Sequence, residues 1–269
     1  MSSTQDTAAR SLAHWSERGR AEMDAFYVLA AEDYRQLALA ADWPALLACR
    51  TTILDVACGS GKFPTALRTL LDLTDLPEIS YDLLDPSEFS VAEAKARLGA
   101  PFRPGRELVT TLQELPAGLT YDVVWATHAL YALPPAELAQ AATRFVAAMA
   151  PGGLGFVAHA SAASHYLAFY DAYRAGVPGA AGVAPFLTGE QVRDALSATG
   201  AAVREQRVRY TTRSSERAVV QGFLQRCAFD DTMTLAQMEA APVLGDYLAG
   251  CRDADGTWTF AHEAVLLWL

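Results

Sequence analysis

The middle of the chain alternates short apolar runs with longer stretches in which apolar residues recur every three or four positions. Short apolar runs are typical of buried strands, and the longer spacing is typical of amphipathic helices. The pattern predicts strands at 52–57, 79–84, 107–111, 121–126 and 154–160 and helices at 63–71, 87–98 and 135–149. This alternation favours a doubly wound α/β fold with a mostly parallel sheet.

The two ends of the chain predict additions to this sheet. Residues 11–40 have the spacing of helices, which residues 42–44 (DWP) would close. After residue 160 the pattern predicts helices at 164–174, 189–199, 215–228 and 234–250 and strands at 202–210 and 258–269. We therefore expect a seven-stranded α/β domain over 49–269, with helical inserts at about 161–188 and 214–256 and an N-terminal helical cap over 1–48. Ligands of open α/β sheets bind at the carboxyl ends of the strands, where this cap would form a lid.

A glycine-bearing turn follows the first strand of the sheet. Residues 53–61 read ILDVACGSG, an apolar run that contains Asp55 and passes into Gly59 and Gly61. Glycines let the backbone approach a ligand, and the N-terminus of the next helix presents unpaired N–H groups. The second strand ends in Asp85, whose carboxylate can accept hydrogen bonds from both hydroxyls of a ribose. Together the two motifs predict a nucleotide site.

With residues 121–125 (YDVVW) as a fourth strand and 149–153 (MAPGG) before a fifth, these motifs resemble class I S-adenosylmethionine-dependent methyltransferases. The resemblance covers roughly residues 48–160 and implies a Rossmann-like fold with S-adenosylmethionine as cofactor. Dehydrogenases usually carry a third glycine where this chain has Pro64, a residue that the first turn of a helix accepts. The late pair of strands matches the reversed hairpin expected of the family.

The resemblance also implies which residues bind the cofactor. They are Asp55, Ala57, Gly59, Gly61, Asp85, Pro86, Thr111, Leu112 and Thr127. Asp55 would lie beneath the methionine amino group, and Asp85 would hold the ribose. Many relatives place an aspartate near the adenine amino group, whereas this chain has residues 110–113 (TTLQ) there. Thr111 or Leu112 would therefore lie near the adenine through backbone and hydroxyl contacts.

The segment after the fourth strand falls where the family places residues beneath the sulfonium and around the acceptor. It contains His128, which is either a general base or a histidine packed under the cofactor. Aromatic faces stabilise cations, although an aromatic stripe at helical spacing is also a common form of core packing. The catalytic candidates are His128, Tyr27, Tyr131 and His159, and the substrate-binding candidates are Tyr34, His165, Tyr166 and Tyr170.

Composition narrows the choice of partners. The 269 residues carry a formal net charge of −10, and no concentrated basic run is present, so we expect no nucleic-acid substrate. Arg204, Arg207 and Arg209 alternate along one predicted strand, which a solvated strand face explains. No apolar run approaches the roughly 20 residues of a membrane span. Residues 1–10 lack the pattern of a signal peptide, so we expect a soluble protein in the cytoplasm, with no membrane partner.

The four cysteines, Cys49, Cys58, Cys227 and Cys251, are far apart in the sequence and form no Cys-x-x-Cys pair. In a reducing compartment such cysteines are expected to be buried thiols rather than disulfides or zinc ligands. The sequence therefore predicts no metal site.

Three functions are compatible with these observations. The leading one is methylation of a nitrogen or oxygen atom of a small-molecule metabolite in an enclosed site. A second, by analogy of fold, is a cyclase in which the methionine amine attacks its own Cγ, releasing methylthioadenosine and forming azetidine-2-carboxylate. A third is a non-catalytic module that binds S-adenosylmethionine as a sensor or partner subunit.

Overall fold

The computed structural model describes residues 7–16 and 20–269, which contain the predicted seven-stranded sheet. The strands are β1 (Thr52–Val56), β2 (Ile79–Leu84), β3 (Phe102–Leu108), β4 (Tyr121–Thr127), β5 (Met149–Ala160), β6 (Arg204–Ser214) and β7 (Trp258–Trp268). Their order is β3-β2-β1-β4-β5-β7-β6, in which β7 is antiparallel to both neighbours and the other pairs are parallel. The predicted doubly wound, mostly parallel sheet is confirmed.

Helices cover both faces of this sheet, because the residues of its central strands are apolar on both sides. The helices are α1 (Thr7–His14), α2 (Arg20–Leu39), α3 (Trp43–Leu47), α4 (Lys62–Leu70), α5 (Glu88–Arg97), α6 (Leu138–Ala147), α7 (His165–Gly176), α8 (Gly189–Ala198), α9 (Arg217–Ala228), α10 (Leu235–Ala240) and α11 (Leu244–Gly250). Along β4, Val123 and Trp125 enter one core while Val124 and Ala126 enter the other. This alternation is the period-two pattern of a strand buried on both faces.

A third apolar core joins the N-terminal helices to the late inserts. Leu29 of α2 packs in one cluster with Phe169 of α7, Phe223 of α9, Met238 of α10 and Leu248 of α11. Elements that are far apart in the sequence therefore stabilise one another above the end of the sheet. This arrangement fixes the position of α2 relative to the strands.

The third strand lies earlier than the sequence pattern predicts. We expected residues 107–111, whereas β3 spans Phe102–Leu108 and contains Pro104. It is an edge strand in which residues 103–107 are exposed, so its apolar pattern is weak and proline is tolerated. A Cβ at Gly105 would lie 2.1 Å from a carboxylate oxygen of Asp82, so glycine is required for this approach.

Two predicted helical stretches are divided in the structure. The prediction of helix over 11–40 corresponds to α1 and α2, and residues 17–19 of it lie outside the described residues. The segment expected to close it instead begins α3, where the Asp42 side chain accepts a hydrogen bond from Ala45 N at 3.1 Å. The predicted helix 234–250 is two helices, α10 and α11, because Pro242 interrupts it.

The arginines of β6 are only partly explained by a solvated face. Arg209 is exposed as expected, yet its Nε donates to Glu263 Oε2 at 2.5 Å. Arg207 also donates to Glu263, at 2.6 Å, and the Glu263 side chain is 7% exposed. Although burial opposes it, the hydrogen bonds from these two arginines lower the pKa of Glu263 to about 2. The pairs therefore join β6 to β7.

The cysteines are all free thiols, and one of them departs from the prediction. Cys58 and Cys227 are buried and Cys251 is half-buried, whereas Cys49 is exposed. Cys49 lies in the turn between α3 and β1, where the chain runs over the surface before it enters the sheet.

Candidate active site

The turn between β1 and α4 has the conformation that its glycines require. Ala57, Gly59 and Gly61 all have positive φ angles, of 49°, 50° and 69°. A Cβ at Gly61 would lie 3.0 Å from Ala94 Cα, so this residue also allows close packing of α4 against α5. Positive φ is unusual for alanine, and such backbone strain is concentrated at functional sites.

Asp85 is held against this turn by backbone N–H groups. Its Oδ2 accepts a hydrogen bond from Gly59 N at 3.0 Å, and its Oδ1 accepts one from Ser87 N at 2.8 Å. Burial raises the pKa of Asp85 to about 6, against the lowering effect of the two N–H donors. A carboxylate has about four lone-pair sites, so both oxygens retain capacity for further donors.

Asp55 is oriented by two residues that the sequence did not single out. The Tyr81 hydroxyl donates to Asp55 Oδ2 at 2.6 Å, and Trp125 Nε1 donates to the Tyr81 hydroxyl at 3.1 Å. Burial raises the pKa of Asp55 to about 7, opposed by the hydrogen bond from Tyr81. Because Tyr81 and Trp125 lie inside strands, the apolar pattern identified them only as core residues.

A cavity of about 390 Å³ extends from this turn over the carboxyl ends of β4 and β5. The predicted residues that line it are Asp55, Ala57, Gly59, Asp85, Pro86, Thr111, Leu112, Thr127, His128, Tyr27, Tyr131, His159, Tyr34 and Tyr166. The structure thus brings together most of the predicted cofactor residues and the predicted acceptor residues. The volume is within the range of small-molecule sites.

Gly61, His165 and Tyr170 lie outside this lining. Gly61 faces α5, as described above. His165 Nδ1 is 2.7 Å from the Tyr247 hydroxyl, and the His165 ring stacks on Phe223 within the third core. Tyr170 stacks on Phe186 with 3.6 Å between ring centroids. The rings of His165 and Tyr170 are therefore packed away from the cavity, and the substrate-binding role predicted for them has no support from their positions.

Two imidazoles, the half-buried His128 and the buried His159, line the cavity near the carboxyl ends of β4 and β5. His128 has a positive φ of 51°, and burial lowers its pKa to about 3. His159 Nδ1 lies 3.1 Å from the Ala160 carbonyl oxygen, and burial lowers the pKa of His159 also. The Nε2 atoms of both residues have no hydrogen-bond partner among the described residues. Both rings are therefore neutral near pH 7, and the contact of His159 Nδ1 with a carbonyl favours the tautomer with a lone pair on Nε2.

Helix α1 lies over the cavity, and hydrogen bonds join this segment to the loops that follow β2 and β4. The Tyr131 hydroxyl accepts a hydrogen bond from Trp15 Nε1 at 2.8 Å and lies 3.2 Å from Ser11 Oγ. Ser87, two residues after Asp85, donates from Oγ to the Trp15 carbonyl oxygen at 3.1 Å. Tyr131 therefore helps to hold α1 over the cavity.

Helix α2 forms the rest of the roof. Lys62 Nζ lies 4.0 Å from the centroid of the Tyr27 ring, which places the start of α4 against α2. Burial raises the pKa of Tyr27 to about 12, so its hydroxyl stays protonated at neutral pH. The ring of Tyr34 meets the His128 ring edge-on, with 5.8 Å between centroids.

The cavity is also lined by Asp33, Trp15 and Arg226, none of which the sequence pattern predicted. Asp33 follows Glu32 in a helical stretch, where a pair of acids is typical of a solvated face. No local pattern marks it as buried, because the tyrosines that contact it come from α7 and β6.

The described residues show neither a membrane-spanning helix nor a cluster of metal ligands. Within residues 7–16 and 20–269, no helix is long and apolar enough to cross a membrane. The same residues contain no group of three or more His, Cys, Asp or Glu side chains placed to hold a metal ion.

Comparison with known proteins agrees with this geometry. Residues 54–154 match a family model described as a methyltransferase domain. The fold is similar to that of magnesium protoporphyrin IX methyltransferase from Synechocystis PCC 6803, solved with bound S-adenosylhomocysteine, at 14% identity over 97% of this chain and 99% of that chain, with a TM-score of 0.55. It is also similar to the YcgJ protein of Bacillus subtilis, at 12% identity over 88% and 97% of the two chains, with a TM-score of 0.54. No curated protein matches the chain in sequence.

Proposed function

Because the chain contains a class I S-adenosylmethionine-dependent methyltransferase domain, we propose that it methylates a nitrogen or oxygen atom of a small molecule held in the cavity beside the turn. The roof formed by α1 and α2 is the observation that carries this proposal. Hydrogen bonds to Ser87 and Tyr131 hold α1 over the cavity. A covered site suits a compact acceptor and excludes water from the reacting atoms.

The residues at the turn fit S-adenosylmethionine, which carries an amino cation and two ribose hydroxyls. Asp55 and Asp85 are buried carboxylates on either side of a backbone that no side chain obstructs at Gly59. We expect Asp85 to accept hydrogen bonds from the ribose and Asp55 to lie beneath the amino group. The cofactor supplies an electrophilic methyl group, and the chain orients the acceptor toward it.

His128 is the residue that we propose to orient the acceptor. Its ring lies beside Tyr34 at the acceptor end of the cavity. A pKa of about 3 makes the ring a weak base, but the neutral imidazole can accept a hydrogen bond from an N–H or O–H group. Such a bond would direct the acceptor lone pair toward the methyl group. As the new bond to carbon forms and the bond from carbon to sulfur breaks, the acceptor keeps its proton, and the methylated product then releases it to solvent.

Replacement of His128 by asparagine is expected to slow methyl transfer by roughly ten- to a hundred-fold, the value of one or two hydrogen bonds in a buried site. Product formation measured at fixed times would give the rate of methyl transfer. A titration with S-adenosylhomocysteine would give the cofactor affinity, which should stay unchanged. His165→Asn is the matched control, because His165 is buried outside the cavity. The assignment fails if His165→Asn slows the folded enzyme as much as His128→Asn does.

Mass spectrometry of the purified protein tests the proposed function directly. With S-adenosylmethionine alone we expect no turnover, and with a small-metabolite extract we expect S-adenosylhomocysteine together with one methylated metabolite. Neither the matched domain nor the similar structures support the cyclase or the non-catalytic module. Methylthioadenosine formed without an acceptor, above the spontaneous rate, would overturn the proposal in favour of the cyclase. Methylation found only in the macromolecular fraction of an extract would also overturn it.

A further inference from the structure

Asp33 is a buried acid in the roof of the cavity. It lies on α2, is 3% exposed and lines the cavity. The Tyr166 hydroxyl donates to Asp33 Oδ2 at 2.6 Å, and the Tyr210 hydroxyl donates to Asp33 Oδ1 at 2.8 Å. Two neutral donors, from α7 and from β6, thus fix the direction of the carboxylate without neutralising its charge.

The charge of Asp33 has no cationic partner among the side chains that the structure describes. Burial is the main influence on this carboxyl group and raises its pKa to about 7, and no lysine, arginine or histidine acts to lower it. Removing an ionised carboxylate from water is costly unless a cation pairs with it. A ligand cation at this position would supply the missing charge.

The position of Asp33 separates it from the cofactor residues. Asp85 follows β2, which is second from one edge of the sheet, whereas Tyr210 belongs to β6 at the opposite edge. Tyr166 lies in α7, which follows β5 directly. Asp33 therefore lies at the end of the cavity remote from the ribose site, on the side where the acceptor would bind.

The surroundings of Asp33 are suited to an organic cation. Phe26, Tyr34 and Tyr166 line the same cavity, and Tyr166 contacts Asp33 directly. Aromatic faces attract cations. The unpartnered Nε2 atoms of His128 and His159 line the same cavity, and both can accept hydrogen bonds from an ammonium group. These hydrogen-bond acceptors and the buried carboxylate of Asp33 together form a site for a cation that carries several hydrogen-bond donors.

We propose that the acceptor is a small molecule with an ammonium group, that Asp33 binds this group by a charge-assisted hydrogen bond, and that a different nitrogen or oxygen atom of the molecule, one with a free lone pair, receives the methyl group. The inference rests on the proposed function, which it deepens by naming the class of acceptor. Tyr210 is then a positioning residue, because it holds the carboxylate and does not line the cavity, whereas Tyr166 both holds the carboxylate and lines the cavity. Compact apolar amines are favoured over acids and over neutral alcohols, because aromatic side chains and the carboxylate of Asp33 line this part of the cavity.

The test compares two isosteric probes, phenethylamine and 2-phenylethanol, binding to protein loaded with S-adenosylhomocysteine. Ligand-observed NMR or calorimetry should show that the wild-type protein prefers the ammonium probe by roughly ten- to a hundred-fold, the value of a hydrogen bond to a charged group. The Asp33→Asn variant should bind the two probes about equally, while its affinity for S-adenosylhomocysteine stays the same. Glu32→Gln is the matched control, because it removes the same charge one residue away on a side chain that does not line the cavity.

Equal binding of the two probes by the wild-type protein would overturn the proposal, as would a preference that survives in Asp33→Asn. The wild-type comparison does not depend on whether Asp33→Asn folds. Failure of the proposed function would appear differently, as the absence of acceptor-dependent S-adenosylhomocysteine. If methylated products do form but none contains an amine, the methyltransferase proposal stands and the assignment of Asp33 fails.

Discussion

Asp85→Asn is expected to weaken the binding of S-adenosylmethionine by about a hundred-fold or more. Each hydrogen bond from a ribose hydroxyl to a carboxylate contributes roughly 1.5–3 kcal/mol, so the loss of two corresponds to at least two orders of magnitude. The amide also presents only one acceptor oxygen, whereas Gly59 N and Ser87 N now use both carboxylate oxygens. One of these buried N–H groups would face the amide nitrogen and lose its acceptor.

Isothermal titration with S-adenosylmethionine would measure this effect, with Asp82→Asn as the matched control. Asp82 is a buried acid in β2, the strand that Asp85 follows, but it accepts hydrogen bonds from Arg106 N and from the Tyr121 hydroxyl outside the cavity. Its replacement should lower the stability of the protein and leave the affinity for the cofactor within about two-fold. Similar losses of affinity in both variants would indicate a general disturbance of β2 and contradict the role given to Asp85.

The same assignment implies that cofactor affinity depends on pH. Burial raises the pKa of Asp85 to about 6 in the free protein, and the carboxylate form is the one that accepts two hydroxyl donors. Burial also raises the pKa of Asp55, which we expect beneath the amino group, to about 7, so affinity should fall as the pH drops from 8 through 7 and 6. Asp85→Asn should show a flatter profile in this range.

The cofactor half of the site is the part that the sequence predicts best. The residues of the β1 turn and Asp85 are close in sequence to strand ends, and parallel strands bring their carboxyl ends to one edge of the sheet. Tyr81 and Trp125 escaped prediction because a hydrogen bond inside a strand core has no periodic signature. Their contribution depends on the register of β1, β2 and β4.

The opposite end of the cavity, where we propose that the acceptor binds, was predicted less well, because its walls come from distant helices. In α7, Tyr166 faces the cavity and the preceding His165 faces the third core, since adjacent residues point to different sides of a helix. Tyr170 lies one turn after Tyr166, where Phe186 covers it. Asp33 was missed for the same reason, because only the packing of α2 against β6 and α7 makes its position buried.

Trp43→Ala is expected to destabilise the protein by about 3–5 kcal/mol, the cost of truncating a fully buried tryptophan. Trp43 is 0% exposed and its Nε1 donates to the Leu37 carbonyl oxygen at 3.0 Å. Its ring centroid lies 4.9 Å from that of Phe156, 5.2 Å from that of Phe63 and 5.5 Å from that of Trp268. The cavity left by alanine would open between α3, α4 and two strands, which cannot all collapse toward it.

Chemical denaturation monitored by circular dichroism would measure the change in free energy of unfolding. Leu39→Ala is the control, because Leu39 is 51% exposed near the end of α2 and its truncation should cost no more than about 0.5 kcal/mol. A loss below about 1 kcal/mol for Trp43→Ala would contradict the packing described for α3. Since Phe63 lies in the first turn of the helix that follows Gly61, this packing also fixes the start of α4. The N-terminal segment therefore has two roles. Helix α3 packs against the start of α4, which follows the β1 turn, and helices α1 and α2 cover the cavity.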